Sequence, residues 1–151
     1  MIAYTDGSAS KNGFENSYGG FGVVIVNGIQ DRVEETVYRK TSSYTTNNRE
    51  EMKAILCAIY IALKKGIRSP EKLFIYSDSA LAINTFSDWK NIWKNNGWKK
   101  ADKKIPKNLD IVQAYDKIEN YCPFEIEFIH VKGHQGNKYN ELADKIAKGE
   151  M

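Results

Sequence analysis

A chain of 151 residues, 42% of them hydrophobic, is long enough for one domain with a real core and too apolar for intrinsic disorder. No apolar run approaches the roughly 20 residues of a membrane span, and the opening "MIAYTDGSAS" lacks the basic-then-apolar order of a secretory leader. The net charge is only +3, and Cys57 and Cys122 stand far apart without CxxC or Cys/His spacing, so no zinc site or dithiol redox pair is indicated.

The elements follow in chain order. "MIAYTDGS" begins apolar and ends in the turn signal Asp6-Gly7, which predicts a strand and then a turn. "GGFGVVIVNG" is β-branched between glycines, a second strand, and "DRVEETVYRKTSSY" alternates Val33, Thr36 and Tyr38 with polar residues, a third. The short Asn27-Gly28 connection suggests antiparallel hairpins. After "TTNN" the period changes: Met52, Ile55, Leu56, Ile59 and Leu63 share one helical face, predicting a helix from Asn48 to Lys65 with Gly66 ending it. "KLFIYSD" reads as a buried fourth strand and "SALAINTF" as a short helix. "NLDIVQAYDKIENY" spaces Leu109, Val112, Tyr115 and Ile118 helically, "FEIEFIHV" alternates as a fifth strand, and "KYNELADKIAKGE" is a last helix with Leu142 and Ile146 inward. Three strands followed by alternating helix and strand point to an α/β fold, one mixed sheet with helices on its faces, in one domain over residues 1–151.

The small net charge hides an uneven distribution. "KNIWKNNGWKKADKKIPK" holds seven lysines against one acid, Asp102, so it carries +6 and the remainder of the chain −3. A charge run is usually a solvated helix face. Here Trp89, Trp93 and Trp98, all the tryptophans of the chain, are interleaved with the lysines or adjoin them. Cations mixed with amphipathic aromatics suit a surface that follows a phosphate backbone.

Asp6 follows the apolar start of the first strand and Asp78 ends the fourth; if those strands are parallel neighbours, the two acids meet at the sheet's carboxyl edge, where open α/β sheets place their sites. Glu51 lies in the first turns of the long helix and Asp144 on the last helix. Each alone has an ordinary explanation as a turn, cap or surface residue. As a constellation they repel and raise one another's pKa unless a cation neutralises them. Oxygen-only ligands select a hard cation, Mg²⁺ with Mn²⁺ as a substitute, and Mg²⁺ accepts substrate phosphate oxygens as further ligands. His134 sits between Gly133 and Gly136, on a loop before the last helix; a solvated ring in a turn is the plain reading, a proton-handling group the functional one.

"YTDGS" (Tyr4 to Ser8), "TTNNREEM" (Thr45 to Met52), "YSDSALAI" (Tyr76 to Ile83) and "VKGHQGNKYNELAD" (Val131 to Asp144) resemble, in order and spacing, the signature segments of type 1 ribonuclease H. "NNGWKKADKKIPKN" (Asn95 to Asn108) is similar to the basic handle of its bacterial members. The resemblance implies a five-stranded mixed sheet of order 3-2-1-4-5 and an endonuclease that cuts the RNA strand of RNA/DNA hybrids, leaving 5′-phosphate and 3′-hydroxyl ends. It implies that Asp6, Glu51, Asp78 and Asp144 hold two Mg²⁺ ions, one activating water and one stabilising the leaving oxygen. Of the adjacent acids Glu50 and Glu51, the family's position before an apolar Met52-type residue selects Glu51. His134 matches the loop histidine, which moves a proton or assists product release. Thr46, Asn47 and Asn48 match residues beside the substrate backbone, and Trp89, Trp93, Lys94, Lys99, Lys100, Lys103, Lys104 and Asn108 fall to the hybrid-binding surface. Val112 and Ala80 stand where many bacterial members have tryptophan and glutamine. A cytoplasmic monomer with no membrane partner is the expected setting. A non-catalytic nucleic-acid-binding module, a resolvase or transposon enzyme of the same superfold, and a domain cut from a reverse transcriptase are the competing readings.

Overall fold

The computed structural model describes residues 1–10, 18–132 and 137–150. Its first three strands, β1 (Ile2–Ser10), β2 (Tyr18–Asn27) and β3 (Arg32–Thr41), form an antiparallel meander. On the other side of β1, β4 (Leu73–Ser77) and then β5 (Ile126–His130) run parallel to it. The sheet order is β3-β2-β1-β4-β5, as the resemblance implied.

Side-chain alternation explains why the middle strands read as near-continuous apolar runs. Ala3, Val23, Ile25, Leu73 and Ile75 point into the larger core on one face of the sheet, and Tyr4, Val24 and Val26 into a smaller core on the other. β3 lies at an edge, and its burial alternates with Val33, Glu35 and Val37 half-buried; Thr36 and Tyr38, named with Val33 in the sequence pattern, fall on the exposed side.

The larger core is closed by α1 (Asn47–Lys64) and α4 (Leu109–Glu119), the smaller by α5 (Lys138–Ala147). α1 starts where Thr46 Oγ1 accepts from Arg49 N at 3.2 Å. It ends in a Schellman arrangement: Gly66 N donates to Leu63 O, Ile67 N donates to Ala62 O, and Gly66 takes φ +74°. Met52, Ile55, Ile59 and Ala62 form its buried face, with Leu56 and Leu63 at the margin. Asn137 caps α5, its Oδ1 accepting from Tyr139 N and Asn140 N.

Two expectations change. β1 does not turn at Asp6-Gly7 but continues to Ser10, because β2 pairs with it along that whole length. "SALAINTF" is not an isolated short helix: α2 (Ala80–Asn84) runs through a π-helical turn at Thr85–Trp89 into α3 (Lys90–Asn95). The helical stretch therefore enters the basic segment. Phe86, stacked on Tyr115 with ring centroids 4.2 Å apart, is its apolar anchor, and Lys90 its polar one.

Two glycines let the helices approach the sheet without side chains between. A Cβ on Gly7 would lie 2.2 Å from both Glu50 C and Glu51 N, so the end of β1 touches the first turn of α1 backbone to backbone. A Cβ on Gly22 would lie 2.9 Å from the backbone oxygen of Ala143, which sets the depth of α5 on the other face. Such overpacking costs about 1–3 kcal/mol when the surroundings yield and more when backbone must move. Gly7→Ala is therefore expected to lower stability by at least about 2 kcal/mol, read as a lower urea midpoint. An unchanged midpoint would contradict the close approach.

Candidate metal centre and nucleic-acid groove

The parallel register of β1 and β4 pairs Thr5 with Ser77, so Asp6, still within β1 and paired with Gly22 of β2, and Asp78, just past the end of β4, follow side by side. α1 brings Glu51 to the same edge through the contact at Gly7. One carboxylate oxygen from each of Asp6, Glu51 and Asp78 lies within 4.8 Å of the others. Asp6 and Glu51 are buried and Asp78 is half-buried.

The electrostatics are those of like charges crowded out of water. Burial, with repulsion from Asp78 and Asp144, pushes Asp6 up to about 7 despite hydrogen bonds from Glu51 and Gly7 N. Burial, then the hydrogen bond and charge of Asp6, then Asp78, hold Glu51 well above the ordinary carboxylate range. A proton shared between Asp6 and Glu51 relieves the repulsion. Glu51 Oε2 remains buried with no hydrogen-bond partner. An orphaned acceptor in an oxygen-only donor set fits a hard divalent cation.

Glu50 does something different. It is fully buried, and its carboxylate accepts from Thr41 Oγ1 at 2.9 Å, from Thr45 Oγ1 and from Lys53 Nζ at 2.8 Å. All its capacity goes into fastening α1 to the end of β3. Adjacent positions on a helix point about 100° apart, so Glu50 turns inward and Glu51 toward the sheet edge.

Asp144 lies outside the group of three. Its Oδ2 pairs with Lys148 Nζ at 3.2 Å, one helical turn on, yet its charge still contributes to raising Asp6. His134 lies outside the described residues.

A groove of about 410 Å³ runs between α1, the helix that carries Glu51, and the basic segment, lined by Asn48, Met52, Trp89, Trp93, Lys100 and Asn108 among others. Thr46, Asn47, Asn48 and Asn108 line a neighbouring hollow. Of the residues expected to contact nucleic acid, Lys99, Lys100, Lys103 and Lys104 are exposed. Trp89 is 37% exposed, while Trp93 packs on the main core. Thr46 caps α1, and Asn47 Oδ1 accepts from Ala9 N at 2.7 Å, tying β1 to that cap. Lys94 Nζ is turned toward Asp116, 2.9 Å from its Oδ2. Val112 is buried in the core, well away from solvent.

Sequence reasoning passed over two side chains. Arg49 makes a two-pronged contact with Asp110 (3.0 and 2.8 Å) and also donates to Asn108 Oδ1, joining α1 to the far end of the basic segment. His130 Nε2 lies 3.2 Å from the backbone oxygen of Asp78. The parallel register that pairs His130 with Ser77 would have pointed to it, since any polar residue ending β5 arrives at the carboxyl edge.

Comparison with known proteins gives one answer. The whole chain, residues 1–151, matches the RNase H family. It is 37% identical over 149 residues to the ribonuclease H of Acetivibrio thermocellus, covering 98% of this chain and 92% of that protein. The RNase H domain of prototype foamy virus superposes with a TM-score of 0.80 at 26% identity, covering 97% and 90% of the two chains. LC9-RNase H1, a type 1 RNase H with the type 2 active-site motif, does so at 0.76 and 26% identity, covering 99% and 72%.

The crowded acids predict an unusual pH dependence without metal. Asp6 is raised from 3.8 to about 7, so between those values the folded protein holds a proton that the unfolded chain has released. Stability then falls as pH rises through that window, the reverse of a salt-bridged carboxylate. Thermal melts in chelator are expected to show Tm declining from about pH 4 to about pH 7. Asp6→Asn flattens the decline, and Mg²⁺ raises the wild-type Tm more at the alkaline end. Identical profiles for wild type and Asp6→Asn would contradict the shift.

Proposed function

The chain belongs to the ribonuclease H family of nucleic-acid hydrolases, and we propose that it is an endoribonuclease cutting the RNA strand of RNA/DNA hybrids by a two-metal-ion mechanism. The products carry 5′-phosphate and 3′-hydroxyl ends. The observation that carries this reading is the juxtaposition of three carboxylates, one with an orphaned buried oxygen, and a groove walled by tryptophan and lysine.

Asp6, Glu51 and Asp78 would hold the metal, with Asp144 completing the set when substrate is bound. Mg²⁺, or Mn²⁺ in its place, supplies water activation and stabilisation of the leaving 3′-oxygen when two ions are bound. The protein's own part is to keep these oxygens together against repulsion and to orient the hybrid. Asn48 and the cap formed by Thr46 and Asn47 present amides and a hydroxyl where 2′-hydroxyls identify RNA. Trp89 and Trp93 offer the groove an aromatic wall, and Lys99, Lys100, Lys103 and Lys104 follow phosphates. His134 moves a proton or assists product release. A module that only bound phosphate would gain nothing from buried acids beside its groove, which argues against a non-catalytic reading. No helix among the described residues is long and apolar enough to cross a membrane; action as a cytoplasmic monomer is part of the proposal.

The test is direct. Labelled RNA/DNA hybrid, RNA duplex, DNA duplex and single-stranded RNA are incubated with protein and Mg²⁺; only the RNA strand of the hybrid is expected to be cut, and chelator stops it. Asp78→Asn keeps shape but loses a metal-holding charge, and is expected to fold normally with cleavage abolished. Near wild-type cleavage by that variant, or efficient cutting of DNA duplex, would overturn the reading.

Replacing Lys99, Lys100, Lys103 and Lys104 together with Ala is expected to raise KM far more than it lowers kcat, because these lysines hold ground state and transition state alike. Each lost phosphate contact flattens the slope of log K against log salt by about 0.7–0.9 units. An unchanged KM and salt slope would make this stretch a solubilising surface.

A further inference from the structure

The seven lysines of the basic segment are not equivalent. Lys90 is the only buried residue of α3, 3% exposed. Its ammonium reaches Asp116 Oδ1 at 3.2 Å and Glu119 Oε1 at 2.7 Å, and lies 5.4 Å from the centre of the Tyr115 ring. The Tyr115 hydroxyl donates to the other Glu119 oxygen at 2.9 Å. One turn along, Lys94 donates to Asp116 Oδ2 at 2.9 Å. Asp116 thus holds a lysine on each oxygen and brackets two successive turns of the helix. Two cations face two acids, and the network is neutral within itself.

This network stands where a hydrophobic contact would ordinarily fasten a helix. A buried ammonium is retained only when paired and hydrogen-bonded, and Lys90 is both. Burial pushes the Asp116 carboxyl up, but hydrogen bonds from Lys94 and Lys90 outweigh it and keep the group below the usual carboxylate range. Trp89 and Trp93 each precede one of these lysines by one residue. Neighbours on a helix point about 100° apart, so fastening the lysine row to α4 fixes the rotation at which the tryptophan row meets the groove. The two indoles stand 6.1 Å apart, tilted by 38°, along the groove lined by Asn48 and Lys100.

Resting on the hybrid-cleaving reading above, we propose that Asp116 is a positioning residue. With Glu119 it holds Lys90 inside the protein, pairs with the exposed Lys94 so that its charge is turned from phosphate, and thereby sets the Trp89–Trp93 wall against which the hybrid is seated. Lys94 is then withdrawn from the nucleic-acid contacts that its place in the sequence suggested. The charge that the hybrid meets comes from the lysines beyond it, Lys99 to Lys107.

Asp116→Asn separates positioning from simple charge. Removing an acid beside the groove would, by charge alone, lower KM and steepen the salt dependence of hybrid binding. Positioning predicts the opposite for KM, a severalfold rise with kcat little changed, partly restored in Asp116→Glu. Tryptophan emission of the free protein should shift to the red in Asp116→Asn and return toward wild type in Asp116→Glu. That measurement needs no hybrid and so reads the network even if the hybrid assay gives nothing. Lys94→Met tests the other half, and tests it alone if Asp116→Asn does not fold. It should leave the salt slope of hybrid binding in Ca²⁺ unchanged, while Lys100→Met flattens it by about 0.7–0.9 units. A fall in KM with unaltered emission in Asp116→Asn, or a slope in Lys94→Met flattened as much as in Lys100→Met, would overturn the proposal.

Discussion

Repulsion among three carboxylates, gathered where β4 ends beside β1, is the constraint around which this molecule is built. Asp6, Glu51 and Asp78 would move apart if their side chains alone decided the matter. Backbone fixes them. Hydrogen-bonded register sets Asp6 beside Asp78, and the bare Cα of Gly7 lets α1 come down onto β1 until Glu51 joins them. Neither device can relax without breaking a strand pair or lifting a helix. The repulsive energy is therefore held by elements whose stability derives from the apolar core elsewhere, and a bound cation would turn that repulsion into attraction.

Fastening of α1 also has to be strong near its N-terminus, where the partner of the repulsion sits. Three contacts converge there: the Thr46 cap, the Asn47 bond to the end of β1, and Glu50 with its two threonines and Lys53. Arg49 adds a fourth from outside, through Asp110. The same short turn thus bears the acid that would bind metal, the residues that line the groove and the side chains that resist displacement. Distance between metal site and groove is set inside one helical turn and does not depend on a mobile hinge.

Much of this was legible in the sequence because it is periodic or local. Alternation and helical spacing locate the strands and long helices, and the apolar starts of "MIAYTDGS" and "KLFIYSD" bring Asp6 and Asp78 together, although β1 runs on through Asp6-Gly7 to Ser10 where the sequence predicts a turn. What could not be read depends on partners distant in sequence. Glu50 and Glu51 are chemically alike and adjacent; only Thr41, Thr45 and Lys53 around one, and Asp6 and Asp78 around the other, divide their roles. The continuation of α2 into α3 was hidden for the same reason. A lysine-rich run looks solvated until acids on a helix some 25 residues later are known to receive it. The sequence groups Asp144 with the other acids as one constellation, and its pairing with Lys148 shows a local contact at work where the longer-range one is only electrostatic.

Separating these roles explains how so small a net charge accommodates both an acidic centre and a strongly basic segment. The acids at the sheet edge repel phosphate, and the exposed lysines attract it. At physiological ionic strength each field decays over about 8 Å, so the two must lie close yet remain distinct. Internal pairing of Lys90 and Lys94 with Asp116 and Glu119 leaves the helical base of the basic segment neutral. Positive potential is thereby carried past the tryptophans to the exposed tip, Lys99 to Lys107, and is not spread back toward the carboxylates. The exposed lysines, the tryptophan-lined groove and the carboxylates are thus three different sets of side chains, separate in charge and joined through α1, which carries both Glu51 and the groove residues Asn48 and Met52.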